Sequence, residues 1–330
     1  MIITRQKLID LARREAEARA AGGDVISAYL VGSVAYGEPL LGGTADIDLI
    51  LIHTEDPPAA REMVPLSAEI HLDIVHHPRR LYAQPRGLRV DPWLGAAVSG
   101  PVFLYDPQHF FEWAQAGARG QFFRADHVLA RARALLASAR TRLPHPAPEH
   151  PVLDTLMDAA LDGANAAALL AGTPAAGRRL LLDIERRAQA LGRPEVADGL
   201  MRLFGIERGD SRSVPAWLGA WARAHDDACP LTTDPRLAAC RRAYHLSGYQ
   251  ALIEAGRPEA VVIPLLRIWD RTLCLLETYG QAENHRVAWD EARRRLGLDP
   301  GSLPTRLLEL ETYLDTMETL IDSWAARNGA

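Results

Sequence analysis

The chain has 330 residues, 48% apolar and 24% charged, an ordinary globular balance that excludes a disordered chain and leaves room for two domains. A formal net charge of −5 supplies no global field toward nucleic acid or an anionic membrane. Among 37 basic residues the only lysine is Lys7, so any cationic contact to phosphate further along falls to an arginine. Cys229, Cys240 and Cys274 follow no metal-ligand or disulfide spacing and fit a reducing compartment. The N-terminus reads as a charged helix and not as a signal peptide. The longest uncharged stretch, 163–177, is too short to span a bilayer and contains Pro174. A cytoplasmic protein with no membrane partner is the expectation.

Taken in chain order, Leu8, Leu11, Ala12 and Ala16 recur at helical spacing within 4–21, and Gly22-Gly23 ends that helix. Residues 25–31 form a short apolar strand, 33–37 open a helix, and 38–44, with Pro39, Gly42 and Gly43, form a loop. A second strand covers 46–53, Pro57-Pro58 breaks it, and a short helix leads to Pro65. Residues 68–76 alternate strictly as a third strand, then come a helix at 91–99, a strand at 101–105 and a helix from Pro107.

From Gln121 onward strand-like runs vanish. Long Ala/Leu/Arg segments follow at about 123–141, 152–170, 176–191, 236–255, 261–279 and 304–326. They are punctuated by Pro144 to Pro148, Gly172-Thr173-Pro174 and Asp299-Pro300-Gly301. The expected fold class is α+β: a small mixed sheet with helices on one face over 1–120, followed by an all-α helical bundle over 121–330 that serves acceptor binding, dimerisation or both.

One stretch carries the chemistry. A Gly32-Ser33 pair leaves the first strand, and Asp46-Ile47-Asp48 enters the second. Asp46 and Asp48, two apart on a strand, point to one face, and on the third strand Asp73 shares a face with Glu69 and His71. If the apolar residues opposite pack on helices, all three aspartates emerge on the open side of one sheet. Converging carboxylates offer hard oxygen ligands for Mg²⁺ bridging a phosphate chain, and Gly32 lets backbone approach that chain. A solvated strand face would also explain the alternation. It would not explain three aspartates, poor strand formers, beside a Gly-Ser turn.

Gly32-Ser33, twelve intervening residues, then Asp46-Ile47-Asp48 followed by Leu-Ile-Leu resembles the nucleotidyltransferase superfamily that includes DNA polymerase β and the aminoglycoside nucleotidyltransferases. Asp73, in Glu-Ile-His-Leu-Asp-Ile-Val, fills the place of the family's third carboxylate, and 100–105 resembles the strand that ends such cores. The resemblance covers only residues 25–106. Ala45 stands where a Ser is common, and Tyr36 where many relatives carry Arg.

The resemblance implies transfer of a nucleoside monophosphate, above all AMP, from an NTP such as ATP to an acceptor hydroxyl, with pyrophosphate leaving. Asp46, Asp48 and Asp73 would be the catalytic, metal-binding residues for two Mg²⁺ ions, with Asp73 at the ion nearest the acceptor. Gly32, Ser33 and the Tyr36 hydroxyl would contact the phosphates. The leading acceptor is a small molecule of aminoglycoside type, which suits the acidic balance. A tRNA or protein acceptor is the alternative, as is a toxin–antitoxin or regulatory module whose helical part binds a partner. No basic stripe points to nucleic acid, and homodimerisation is left open.

Other residues have ordinary explanations. Asp154, Asp158 and Asp162 form an i, i+4, i+8 stripe that could supply a general base, as could Asp183 or Glu185, but a solvated polar face accounts for them. His71 reads as a partly buried strand histidine and His76-His77 as surface residues. Trp217, Trp221, Trp269 and Trp289 could line an acceptor pocket by stacking but read as helical core, and Arg178-Arg179 and Arg241-Arg242 could bind phosphate, with solvated helix surface at least as good a reading.

Overall fold

The computed structural model describes residues 3–143, 152–206 and 212–330, so the proline cluster at 144–148 lies outside the described residues. The elements run α1 (Arg5–Ala20), β1 (Val25–Leu30), α2 (Gly32–Tyr36), β2 (Ala45–His53), β3 (Arg61–Pro65), β4 (Ile70–Pro78), α3 (Leu94–Ser99), β5 (Val102–Tyr105) and α4 (Phe110–Arg119). Helices follow: α5 (Ala125–Arg142), α6 (Val152–Ala168), α7 (Leu180–Leu191), α8 (Glu195–Leu203), α9 (Val214–Ala228), α10 (Cys240–Glu254), α11 (Glu259–Thr278), α12 (Glu283–Arg295) and α13 (Leu303–Asn328). The architecture is α+β, a mixed five-stranded sheet with helices and then a helical region.

The sheet order is β3-β4-β2-β1-β5, with β2 and β4 parallel and the other pairs antiparallel. Strand period sorts the side chains. Ala45, Ile47, Leu49 and Leu51 of β2 and Leu72 and Ile74 of β4 bury one face against Leu8, Ile9, Ala12 and Ala16 of α1. The opposite face is divided along its length. Its far half holds Tyr29, Ile50 and Ile52, packed under Tyr82 and Phe110, Phe111 and Ala114 of α4. Helices therefore cover part of the second face as well as the first. Its near half carries the acidic residues.

Residues 61–65 form strand β3, not the short helix expected before Pro65. Five residues are too few for a helical period to declare itself, and pairing along the free edge of β4 decides the conformation. Glu62 gains from it: the side chain accepts from Arg19 Nη1 of α1 at 2.6 Å and lies 2.9 Å from His76 Nε2.

The chain divides into two compact units, Met1–Phe122 with Thr232–Gly248, and Phe123–Leu231 with Tyr249–Ala330. In the first unit the loop after α2 closes with a two-residue turn. Leu41 and Thr44 exchange backbone hydrogen bonds at 3.1 and 3.2 Å across Gly42 and Gly43, whose φ values are +60° and +73°. That is the left-handed pair such a turn requires. Gly42 also lies against the middle of α10, where an added Cβ would clash with the Ser247 carbonyl oxygen.

In the second unit α5, α6 and α13 pack on one another, and α9 packs on α11 and α12. Trp217, Trp221, Trp269 and Trp289 are all buried there, as core residues. Helices α8, α9 and α12 had no clear sequence signal; α12 buries only Trp289 and Ala292, too few apolar positions to show a period. No helix among the described residues is long and apolar enough to cross a membrane.

The two turn glycines give a paired test. Gly43 has nothing within 4 Å of an added Cβ, so Gly43→Ala should cost only the left-handed penalty, about 1 kcal/mol. Gly42→Ala adds a clash with rigid backbone and should cost about 2 kcal/mol or more. Denaturant unfolding of both variants measures the difference; equal losses would mean that the turn does not dock on α10.

Candidate metal centre

Parallel register places the aspartates. Asp46 lies opposite His71, and Asp48 opposite Asp73, so period two puts all four side chains on the near half of one sheet face. One oxygen from each of Asp46, Asp48 and Asp73 lies within 4.8 Å of the others, close enough for the three to hold a metal ion. This is not a solvated face: Asp73 is 1% exposed and Asp46 9%.

Such crowding is costly. Burial first, then repulsion from Asp46 and Asp73, holds the Asp48 carboxyl well above its ordinary range. No side chain among the described residues donates a hydrogen bond to it. Gly32 makes its position possible: an added Cβ would lie 1.9 Å from Asp48 Oδ2, and the glycine φ is +68°. The Val31 N–H donates to the Asp48 carbonyl at 3.0 Å, and Arg5 of α1 donates to the carbonyls of Val34 and Ala35 at 2.7 and 2.9 Å. The Gly-Ser turn is thus fastened from both sides. Ser33 sits half-buried in its first residues, while Tyr36, at the end of α2, is 56% exposed.

Two arginines answer the carboxylates; the sequence reading weighed Arg241 as a phosphate contact against solvated helix surface and did not consider Arg61. Arg61 of β3 is opposite Val75 and so is the diagonal neighbour of Asp73 on the same face. Its Nε donates to Asp73 Oδ1 at 2.6 Å and its Nη2 to Oδ2, a bidentate pair that raises the basicity of the guanidinium. Arg241, in the first turn of α10, places Nη1 3.4 Å from Asp73 Oδ2, 3.9 Å from Asp46 Oδ2 and 3.5 Å from His71 Nε2. Its guanidinium lies 5.0 Å over the Tyr244 ring, against which His71 stands edge-on at 5.1 Å.

Arg241 is therefore not the solvated surface residue expected, for its side chain is only 14% exposed. The segment 232–248 brings it into the first unit, and no local pattern announces that return. Arg61 was hidden by the helical reading of 61–65. As a strand, the alternation would have put it on the aspartate face.

His76 and His77 are not surface residues either. His76 Nδ1 lies 2.8 Å from His53 Nε2 on the α1 side of the sheet, while His77 Nδ1 lies 2.6 Å from the Tyr82 hydroxyl on the other. Burial holds both His53 and His77 below the ordinary histidine value. In the second unit two of the three stripe residues, Asp158 and Asp162, are engaged by partners. Asp158 meets Arg267 at 2.5 Å and Arg142 at 3.3 Å, and Asp162 accepts from Ser138 at 2.8 Å. Asp183 lies 3.6 Å from Arg186, and Glu185 2.5 Å from Arg257.

No family model matches the sequence, and no curated protein does. Among solved structures the chain overlays a nucleotidyltransferase-like protein from Exiguobacterium sibiricum 255-15 at 11% identity and a TM-score of 0.26, over 94% of this chain and 91% of that one. At that score the likeness carries no weight, and the reading of the site rests on its own geometry.

The donor set suits a divalent cation of the hard, oxygen-seeking kind: carboxylate oxygens with unspent lone pairs on Asp46 and Asp48. Because the folded protein holds Asp48 above its ordinary value, its ionisation opposes folding; the cost is absent below the unfolded value and complete above the folded one. Asp48→Asn should therefore raise the midpoint of thermal unfolding of the metal-free protein at pH 8, with the gain fading below about pH 4. Scans across pH check the sign; a midpoint lowered at pH 8 would refute the repulsion. Gly32→Ala should displace the Asp48 carboxylate, and the protein should lose divalent-cation binding while keeping its helical content.

Proposed function

We propose that the protein is a Mg²⁺-dependent nucleotidyltransferase that moves a nucleoside monophosphate, above all AMP, from an NTP to a hydroxyl of a small acceptor of aminoglycoside type. The observation that carries this reading is the joining, in one sheet, of a glycine turn pressed against one aspartate with two further carboxylates inside 4.8 Å. A surplus of buried carboxylates calls for a cation from outside the chain, and a glycine turn beside it admits a phosphate chain to the same place.

In this reading Asp46 and Asp48 would hold the metal, which when bound would supply charge neutralisation for the phosphate oxygens and the leaving pyrophosphate. Gly32 keeps the approach open, and the Ser33 hydroxyl donates to a phosphate oxygen. The attacking hydroxyl must lose its proton to a nearby carboxylate or to water as its oxygen bonds to the α-phosphorus. The net charge of −5 favours a cationic acceptor over a polyanionic one.

The test uses α-labelled NTPs with Mg²⁺ and separate panels of aminoglycosides, tRNA and proteins. We expect label on a small acceptor, with one pyrophosphate released per label and ATP the preferred donor. Failure of every NTP to bind in the presence of Mg²⁺ would overturn the catalytic reading, and label on tRNA or protein alone would overturn the acceptor class.

A further inference from the structure

The three aspartates are not equivalent. Asp48 accepts no side-chain hydrogen bond among the described residues. For Asp46 the nearest cationic group among them is Arg241 Nη1 at 3.9 Å. Asp73 is the most heavily engaged: Oδ1 and Oδ2 each accept from Arg61, and Oδ2 faces Arg241 as well. A small divalent cation needs near-ideal oxygen geometry at about 2.0–2.1 Å and binds through lone pairs that are still available. To use Asp73 it would have to share the carboxylate with Arg61 and settle beside two guanidinium groups that repel it.

Arg241 is the opposite case, a cation held in place with donors to spare. Its contacts to Asp73, Asp46 and His71 are all long, 3.4–3.9 Å, and the Tyr244 ring holds the guanidinium plane. Its Nε is enclosed and bonds nothing among the described residues. The local charges point the same way. Three carboxylates and two guanidiniums leave one negative charge; a single divalent cation turns it to one positive, the sign that attracts a phosphate chain. Lys7 is the only lysine, so arginine must supply any such contact here.

We propose that Asp73 is a positioning residue that anchors Arg61 and Arg241 rather than a metal ligand, and that this arginine pair binds the anionic phosphates of the nucleotide while Asp46 and Asp48 alone hold the metal. The proposal rests on the nucleotidyl-transfer reading and assigns the work within its site. Arg241, with its unspent donors, makes the principal phosphate contact. Arg61 contributes charge from the edge strand and holds the Asp73 carboxylate in place.

The experiment measures two affinities on the full chain: Mn²⁺ by electron paramagnetic resonance, and ATP by calorimetry at saturating Mg²⁺. Asp48→Asn should abolish Mn²⁺ binding. Asp73→Asn, Arg61→Ala and Arg241→Ala should leave the Mn²⁺ Kd within about threefold of wild type. Asp73→Asn and Arg241→Ala should also weaken ATP by about tenfold or more, the scale of a lost charge-assisted hydrogen bond.

Loss of Mn²⁺ in Asp73→Asn equal to that in Asp48→Asn would overturn the assignment. So would about tenfold tighter Mn²⁺ in Arg61→Ala, since freeing Asp73 would then have exposed a ligand. Arg61→Ala leaves the buried aspartate in place, so the test survives if Asp73→Asn does not fold. Wild-type protein that binds neither Mn²⁺ nor MgATP would overturn the transfer reading and this proposal together; the reversed variant pattern on a binding wild type overturns this proposal alone.

Discussion

Repulsion among three carboxylates on a nearly dry sheet face is the constraint around which the first unit is organised. Two like charges about 4 Å apart cost about 4 kcal/mol at the effective dielectric of a protein surface, and more where water is scarcer. A fold can carry that load only if something offsets it. Here the parallel register of β2 and β4 creates the problem, by setting Asp48 opposite Asp73. The edge strand β3 and the returning segment 232–248 supply the partial remedy, one arginine each.

The same strands provide the support. Their α1-facing side is apolar from Ala45 to Leu51 and from Ile70 to Ile74, and the other side turns apolar beyond Asp48, where Ile50 and Ile52 pack with Tyr29 under α4. The switch from charge to hydrocarbon within one strand anchors the acidic half on a packed half, so the carboxylates sit on rigid backbone and not on a loop. Packing there is tight enough that Gly32 cannot carry a side chain without moving the Asp48 carboxylate. Geometry and electrostatics are then one constraint: the residue that lets backbone approach a phosphate also fixes the aspartate nearest to it.

Much of this could be read in the sequence because strand period has only two outcomes per residue. Asp46, Asp48 and Asp73 were assigned to one face by counting, and β1, β2, β4 and β5 followed from apolar runs and their breakers. What counting missed was set by tertiary pairing. Residues 61–65 contain no decisive pattern, and only the free edge of β4 makes them a strand, which is why Arg61 went unnoticed. Arg241 lies 168 residues from Asp73 in the chain, on a helix whose composition resembles its neighbours. His76 and His77 looked superficial because a strand end often is, yet Glu62 and Tyr82, brought in by β3 and by the turn after β4, enclose them.

The helical unit shows why the deficit at the site is meaningful. It too is rich in acid–arginine contacts, in which Asp158 and Glu185 are paired, whereas its Asp270 carboxyl is held up to about 6 by burial and by Asp154. Asp158, 28% exposed, has two arginines to itself, and Glu185 has Arg257. Pairs of that kind contribute little each and raise no local field. On the sheet, three carboxylates compete for two arginines, and the one best placed to be satisfied, Asp73, takes the tightest contact and leaves Asp46 and Asp48 short. Stability alone would favour a third cation or one fewer acid. The carboxylate surplus is bounded by the Gly32 turn on one side and by the Arg241 guanidinium on the other. Both signs of charge thus stand side by side on one sheet face, acid at Asp46 and Asp48 and a guanidinium at Arg241, the pairing on which the proposed metal–phosphate site rests.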